Sequence, residues 1–148
     1  MPKIDLSSIE ATNTTGYPKP FDKDVAGRWC QRLGPASGLT EFGVSKVSLE
    51  PGAWSSQRHW HDTEDEFLVM LSGEAVLVED DGRTVLRAGD CAAWPKGSTN
   101  GHHLRNESDV ACSFIVVGGG IRTAGGYSDI DMTFGADGRY YHKDGTPY

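Results

Sequence analysis

The sequence predicts an all-β fold in one domain. Between residues 41 and 117, short apolar runs alternate with glycine, proline and aspartate at a spacing too tight for helices of ordinary length. The runs "FLVML" and "AVLV" are apolar on both faces, as in strands that lie between two packed layers. At 148 residues the chain has the size of one ordinary domain, so we expect a single unit over residues 1–148.

The predicted strands follow one another between turn signals. Residues 41–52 ("EFGVSKVSLEPG") form a strand that a Pro-Gly turn closes, and residues 66–80 ("EFLVMLSGEAVLVED") contain two strands joined at Ser72 and Gly73. The Asp81-Gly82 pair predicts a hairpin, because this dipeptide tolerates the positive φ angles of a tight turn. Residues 110–120 ("VACSFIVVGGG") are the last clear strand. The flanks 1–40 and 119–148 are expected to be mainly loops, with room for short strands.

Charge and composition exclude several classes of partner. The chain has 14 Lys and Arg against 21 Asp and Glu, a formal net charge of -7, and no basic block, which argues against nucleic acid and anionic membranes. The N-terminus has no basic region followed by an apolar run, and no window is apolar enough to span a bilayer, so we expect a soluble cytoplasmic protein. Three cysteines without a C-x-x-C pair indicate reduced thiols.

Four of the five histidines form two short clusters. In an extended strand, residues two apart point to the same face, so His59 and His61 would present their imidazoles side by side. His102 and His103 are adjacent, and His102 shares its face with Leu104, so His102 is the one expected to point inward. Imidazoles with a nearby carboxylate are suitable ligands for a divalent transition metal ion.

Both histidine segments resemble the paired motifs of the cupin superfamily, in particular of its small single-domain bacterial members. The usual first motif, G-x5-H-x-H-x3or4-E-x6-G, is filled with one extra residue after the first glycine by Gly52, His59, His61, Glu66 and Gly73. The usual second motif, G-x5-P-x-G-x2-H-x3-N, is filled with two extra residues before the histidine by Gly89, Pro95, Gly97, His102 and Asn106. The resemblance covers about residues 41–118, which would be the barrel core between two terminal arms. Flanking segments such as "QRLGPASGLTEFGV" resemble a subgroup of cupins without an assigned function.

The resemblance implies a double-stranded β-helix, a jelly-roll barrel with a metal ion near its open end. The ion would be one divalent Fe, Mn, Ni or Zn, and its implied ligands are His59, His61, Glu66 and His102. Asp65 is a possible carboxylate ligand by spacing from the histidines, and the six residues before Gly73 select Glu66. Glu64 and Asp65 are expected to be solvated at the mouth, unless one of them holds a histidine Nδ1.

This donor set favours a metal-dependent enzyme acting on a small polar organic substrate, of the dioxygenase, isomerase or lyase type found in similar folds. Four protein ligands close a tetrahedral ion but leave two positions open on an octahedral one. The alternative is a non-catalytic barrel that binds or senses a small ligand, because a fold does not determine a function. No general acid or base stands out. The doubly apolar strands also lead us to expect a homodimer.

Other residues have less specific roles. Gln57 shares the face of His59, and a structural amide hydrogen bond is its expected role. Cys91 is expected to be a small core residue, and Arg122 is a candidate anion anchor. In the tail "DGRYYHKDGTPY", Tyr140 or Tyr141 is expected to pack on the barrel, with His142 on the surface.

Overall fold

The computed structural model describes residues 3–121 and 124–148, so the candidate anion anchor Arg122 lies outside the described residues. A short helix, α1 (Leu33–Ala36), and a 3-10 turn (Leu6–Ser8) accompany the strands. The strands are β1 (Arg28–Arg32), β2 (Phe42–Leu49), β3 (His59–His61), β4 (Glu64–Ser72), β5 (Glu74–Glu79), β6 (Gly82–Arg87), β7 (Cys91–Trp94), β8 (His103–Arg105), β9 (Cys112–Gly120), β10 (Gly125–Tyr127), β11 (Thr133–Phe134) and β12 (Tyr140–Tyr141).

The strands form three antiparallel sheets that enclose one barrel. The largest sheet has the order β1-β2-β9-β4-β7, and the opposite wall consists of β6-β5-β8 and β12-β11-β10-β3. A bridge between His59 and His102 joins the two smaller sheets. Apolar side chains from both walls pack into one core that includes Leu49, Leu68, Met70, Leu77, Leu86, Leu104 and Phe114. This arrangement confirms the predicted all-β jelly-roll barrel.

The predicted turns lie where the sequence signals placed them. β5 and β6 form the hairpin at Asp81-Gly82, with Glu79 opposite Gly82. Gly73 has a φ of +67°, and a Cβ there would lie 2.8 Å from the Cβ of Cys112. Because β4 and β5 belong to different sheets, Gly73 is the point where the chain crosses from one wall to the other.

The flanks contribute four strands to the sheets. β1 pairs with β2 along its whole length, and Thr12 forms two backbone hydrogen bonds with Cys30 at the outer edge of β1. β10 pairs with β3, with Gly125 opposite His61 and Tyr127 opposite His59. Segments expected to be mainly loops therefore brace the histidine strand and extend the large sheet.

The expectation that Cys91 lies in the core is wrong. In β7, Ala92 packs against the core and Trp94 is buried, so the alternation of the strand turns Cys91 and Ala93 to the outside. Among the residues that the structure describes, none of the helices has the length and apolar character needed to cross a bilayer.

Candidate metal centre

Three parts of the barrel bring the motif side chains together. His59 and His61 lie on β3, Glu66 lies on β4, and His102 immediately precedes β8. His59 and His102 exchange backbone hydrogen bonds of 3.2 and 2.9 Å, which hold the two histidine segments side by side. β3 thus carries the predicted alternation of His59 and His61, and it lies beside the segment that carries His102.

The candidate ligand atoms converge within a few ångströms. One ligand atom each of His59, His61 and Glu66 lies within 4.8 Å of the other two. Glu66 Oε2 lies 3.1 Å from His61 Nε2 and 3.5 Å from His102 Nε2. The ring centroids of His59 and His102 are 5.1 Å apart. His59, His61 and Glu66 therefore form a close group. His102 lies at the edge of this group, next to Glu66.

The other ring nitrogens have partners that orient the imidazoles. His59 Nδ1 lies 3.0 Å from the Gln57 carbonyl oxygen and 3.2 Å from Ser56 Oγ. His61 Nδ1 lies 3.3 Å from Glu64 Oε2, an electrostatic contact without the alignment of a hydrogen bond. A proton on each Nδ1 leaves the Nε2 lone pairs for a metal ion, and such supporting carbonyls and carboxylates orient metal-binding histidines.

Burial sets the charges that a cation would meet. Burial, and then the neighbouring His102, lower the pKa of His59 to about 3. Burial alone would raise the pKa of the Glu66 carboxyl, but the close imidazoles of His102 and His61 outweigh it and hold that pKa well below its usual range. At neutral pH the site therefore presents a neutral His59 and a carboxylate, the protonation states that metal binding requires.

His102 provides a test of whether the site fits a metal ion. Its ring is stacked on Trp94, with centroids 3.8 Å apart and planes within 8°. Both of its ring nitrogens are buried and lack a hydrogen-bond partner among the described residues. An unsatisfied buried nitrogen is costly, and a cation at Nε2 would provide the missing partner. The residues present therefore fit a divalent transition metal ion.

His103 points away from this cluster, as the strand parity predicts. It is buried, its Nδ1 lies 2.9 Å from the Ser56 carbonyl oxygen, and its Nε2 accepts a 2.9 Å hydrogen bond from Arg105 Nε. Burial lowers the pKa of His103 to about 4. His103 is thus a satisfied core histidine that supports the loop carrying Ser56.

The acidic residues beside Glu66 behave differently from each other. Asp65 is exposed and accepts a 2.8 Å hydrogen bond from the Lys96 backbone. The expectation that Glu64 is a solvated charge is wrong: its side chain is 18% exposed and faces the barrel beside His61. Gly118 makes this possible, because a Cβ there would lie 2.2 Å from Glu64 Oε1. Glu64 instead fits the alternative expectation, in which one of these carboxylates lies beside a histidine Nδ1.

Gln57 has the structural role expected of it. Its Nε2 donates hydrogen bonds of 2.8 Å to Asp24 Oδ2 and 3.2 Å to the Phe21 carbonyl. These bonds tie the segment before β3 to the N-terminal flank, so the Gln57 carbonyl is held in place beside His59 Nδ1.

A cavity of about 600 Å³ extends from the candidate ligands toward the two termini. Its inner wall includes Leu68, Leu104 and Phe114. Its outer wall comes from the flanks and includes Thr12, Thr14, Thr15, Tyr17, Arg28, Arg32, Tyr127 and Tyr140. Sequence reasoning identified Tyr140 only as a packing residue and did not identify the other outer residues. The alternation in "RWCQR" would have placed Arg28 and Arg32 on one face, had that segment been recognised as a strand.

Three tyrosines close one side of the cavity. Tyr17 stacks on Tyr140 with ring centroids 5.4 Å apart, and Tyr127 meets Tyr17 edge-on at 5.7 Å. Tyr127 also lies 5.9 Å from the ring of His59. Burial raises the pKa of Tyr17 to about 12 and raises that of Tyr127 beyond its ordinary value, so both phenols stay protonated as donors.

Comparison with known proteins agrees with this architecture. The family model described as "Cupin domain" matches residues 45–118. A solved sugar phosphate isomerase from a cupin superfamily, from Silicibacter pomeroyi, is 45% identical, with a TM-score of 0.93 over 99% of this chain and 96% of that one. The polyketide cyclase RemF from Streptomyces resistomycificus shares the fold at 19% identity, with a TM-score of 0.70 over 88% of this chain and 87% of that one. No curated protein matches the sequence.

Proposed function

Because this chain belongs to the cupin superfamily, we propose that it is a metal-dependent isomerase of a small phosphorylated sugar. The observation that carries the proposal is the group of His59, His61 and Glu66 at the inner end of a cavity large enough for such a molecule. The relative from Silicibacter pomeroyi, which bears the name of a sugar phosphate isomerase, supports the same reading over nearly the whole chain.

The proposed ligands are His59, His61, Glu66 and His102, and the ion is a divalent Fe, Mn, Ni or Zn. When bound, the ion would supply a Lewis acid for the oxygens of a hydroxy-carbonyl substrate. Aldose–ketose interconversion moves a proton between adjacent carbons, and a Lewis acid that polarises the carbonyl and hydroxyl oxygens would assist this transfer.

The surrounding residues would hold this arrangement and shape the substrate space. Glu64 orients His61, the Gln57 carbonyl orients His59, and Trp94 fixes the plane of His102. Tyr17 and Tyr127 offer protonated hydroxyl groups near the cavity and exclude water from the side next to His59.

The test begins with the metal content of protein purified without a nickel column. The protein is then stripped with a chelator, reloaded separately with Fe, Mn, Ni and Zn, and assayed by NMR for interconversion of aldose and ketose phosphates. We expect turnover in at least one metal form and none in the stripped protein. Oxygen uptake with catechols or carboxylates instead would contradict the isomerase. Ligand binding without turnover in all four forms would favour the non-catalytic sensor.

A further inference from the structure

We propose that Arg28 and Arg32 form the phosphate-binding part of the cavity that also contains the candidate metal ligands. The inference rests on the function proposed above and deepens it, because it assigns the part of the site that would recognise a phosphomonoester. It is carried by the placement of two arginines on one face of β1, by their lack of carboxylate partners, and by the hydroxyl groups around them.

Both arginines lie on the inner face of the large sheet. Arg28 and Arg32 are four residues apart in β1, so they share a face with Cys30 between them, and all three line the cavity. The neighbouring outward residue, Trp29, hydrogen-bonds Glu50 on the other side of the sheet. The strand alternation thus directs two cations into the same cavity as Glu66.

These guanidinium groups are not neutralised by the protein. Within residues 3–121 and 124–148, Arg32 forms no ion pair or hydrogen bond through its side chain. Arg28 donates only to the carbonyl oxygens of Ser55 (2.9 Å) and Thr14 (3.5 Å), and its Nε is buried without a partner. By contrast, each of four other arginines meets a carboxylate: Arg58, Arg83, Arg87 and Arg139.

The carboxylates of the cavity do not compensate for these cations. Glu66 contacts His61 and His102, and Glu64 contacts His61, so both are engaged at the candidate metal centre. Neither carboxylate of the lining therefore pairs with Arg28 or Arg32. A cationic part of the lining with unsatisfied donors favours an anionic group on the ligand.

The groups beside the arginines suit a phosphate in particular. Thr12, opposite Cys30, and Ser45, opposite Arg32 on β2, bring hydroxyl groups beside the arginines, and Thr14 and Thr15 also line the cavity. A phosphomonoester dianion has three terminal oxygens, which can accept from two guanidinium forks and several hydroxyls at once. A carboxylate has two oxygens and a single charge, so it would leave more of these donors unsatisfied.

The sheet register sets the distance between Arg32 and Glu66. Arg32 is opposite Ser45, Ser45 is opposite Val116, and Val116 is opposite Leu68, which is one inward position from Glu66. Three strand spacings correspond to about 14 Å between backbones. Both side chains, of Arg32 and of Glu66, stand on the cavity side of this sheet, so the cavity between them spans three strand spacings.

The experiment measures binding by isothermal titration calorimetry on the metal-loaded protein, with ribose 5-phosphate, glucose 6-phosphate, inorganic phosphate and gluconate as probes. We expect Arg32→Gln to weaken binding of the better sugar phosphate by about 10-fold or more, as loss of a charge-assisted contact predicts. Arg28→Lys tests the paired N–H donors of the guanidinium group, because lysine keeps the charge but lacks this geometry. This variant should also bind the sugar phosphate more weakly. The matched control is Arg87→Gln on β6, where an exposed arginine pairs with Glu74.

Several outcomes would overturn the assignment. These are unchanged affinity in Arg32→Gln, an equal loss in Arg87→Gln, gluconate binding as tightly as the sugar phosphates, or no saturable binding of any phosphate probe by the wild type at millimolar concentration. Circular dichroism checks that each variant is folded. Phosphate binding that depends on Arg32 without turnover would leave this inference standing while the isomerase proposal fails.

Discussion

At the residue scale, the space at position 118 controls how the Glu64 carboxylate meets His61. We expect Gly118→Ala to displace Glu64, because the added Cβ would lie 2.2 Å from its Oε1, and to weaken metal affinity by about 10-fold through loss of the group that orients His61. Competition with a fluorescent chelator measures the affinity. Gly119→Ala is the matched control, since a Cβ there meets nothing within 4 Å. Equal affinity in the two variants would mean that Glu64 does not support the site.

A second prediction distinguishes the roles of the adjacent His102 and His103. His59→Ala or His61→Ala should abolish metal binding, because each removes a proposed ligand, and His102→Ala should reduce it. His103→Ala should keep the metal but destabilise the fold by about 1–3 kcal/mol, because the Ser56 carbonyl oxygen and Arg105 lose their buried partner. Elemental analysis and thermal melting measure these effects. Metal lost in the His103 variant and retained in the His102 variant would reverse the assignment.

At the scale of elements, the C-terminal strands act as a brace rather than a source of ligands. Tyr140 on β12 stacks on Tyr17, and His142 lies outside the metal centre, 2.9 Å from Asp131 and stacked on Tyr148. This agrees with the expectation of an ordered arm that packs Tyr140 on the barrel and leaves His142 near the surface.

Deletion of residues 137–148 should therefore lower the melting temperature while leaving metal stoichiometry unchanged. Tyr140→Ala alone should cost about 2 kcal/mol, or roughly 4–8 °C for a chain of this size. His142→Ala is the control and should change the melting temperature little. A truncated protein that melts like the full chain would make the arm dispensable, and loss of metal would mean that His142 is a ligand.

At the scale of the whole molecule, the outer face of the large sheet predicts a homodimer. Four large apolar side chains on this face remain exposed: Trp29 (37%), Phe42 (44%), Phe67 (44%) and Leu71 (46%). The described parts of the terminal arms do not cover Phe67 and Leu71, so the doubly apolar run "FLVML" keeps an open side. A second copy of the chain would bury it, and we propose that this protein works as a homodimer.

Light scattering at micromolar concentration should therefore give the mass of a dimer. Phe67→Glu should weaken self-association by about 30-fold or more, because it would bury an unpaired charge at the interface. Val85→Glu on β6 is the matched control, since Val85 is 40% exposed on a different sheet. A monomeric wild type, or equal dissociation of both variants, would contradict the dimer.

Features that depend on local geometry could be predicted from the sequence. Strand alternation placed His59 and His61 on one face and separated His102 from His103, because side-chain direction has a period of two. The turn glycines of both motifs, Gly52, Gly73, Gly89 and Gly97, all have positive φ angles, which glycine adopts without steric cost. Cys91 was placed in the core because it lies in a predicted strand without an activating neighbour, and such a short strand does not indicate which of its faces is inside.

Features that join distant segments could not be predicted from the sequence, because they depend on contacts formed when the barrel closes. The contact of Glu64 with His61 depends on the missing side chain of Gly118, which lies 54 positions further along the chain. The cavity wall formed by Arg28, Arg32 and Tyr140 depends on β1 pairing with β2 and on the tyrosine contacts between the two flanks. Such pairings are set by the closure of the whole barrel, in which the hydrogen bonds of one short strand are satisfied only once its neighbours are in place.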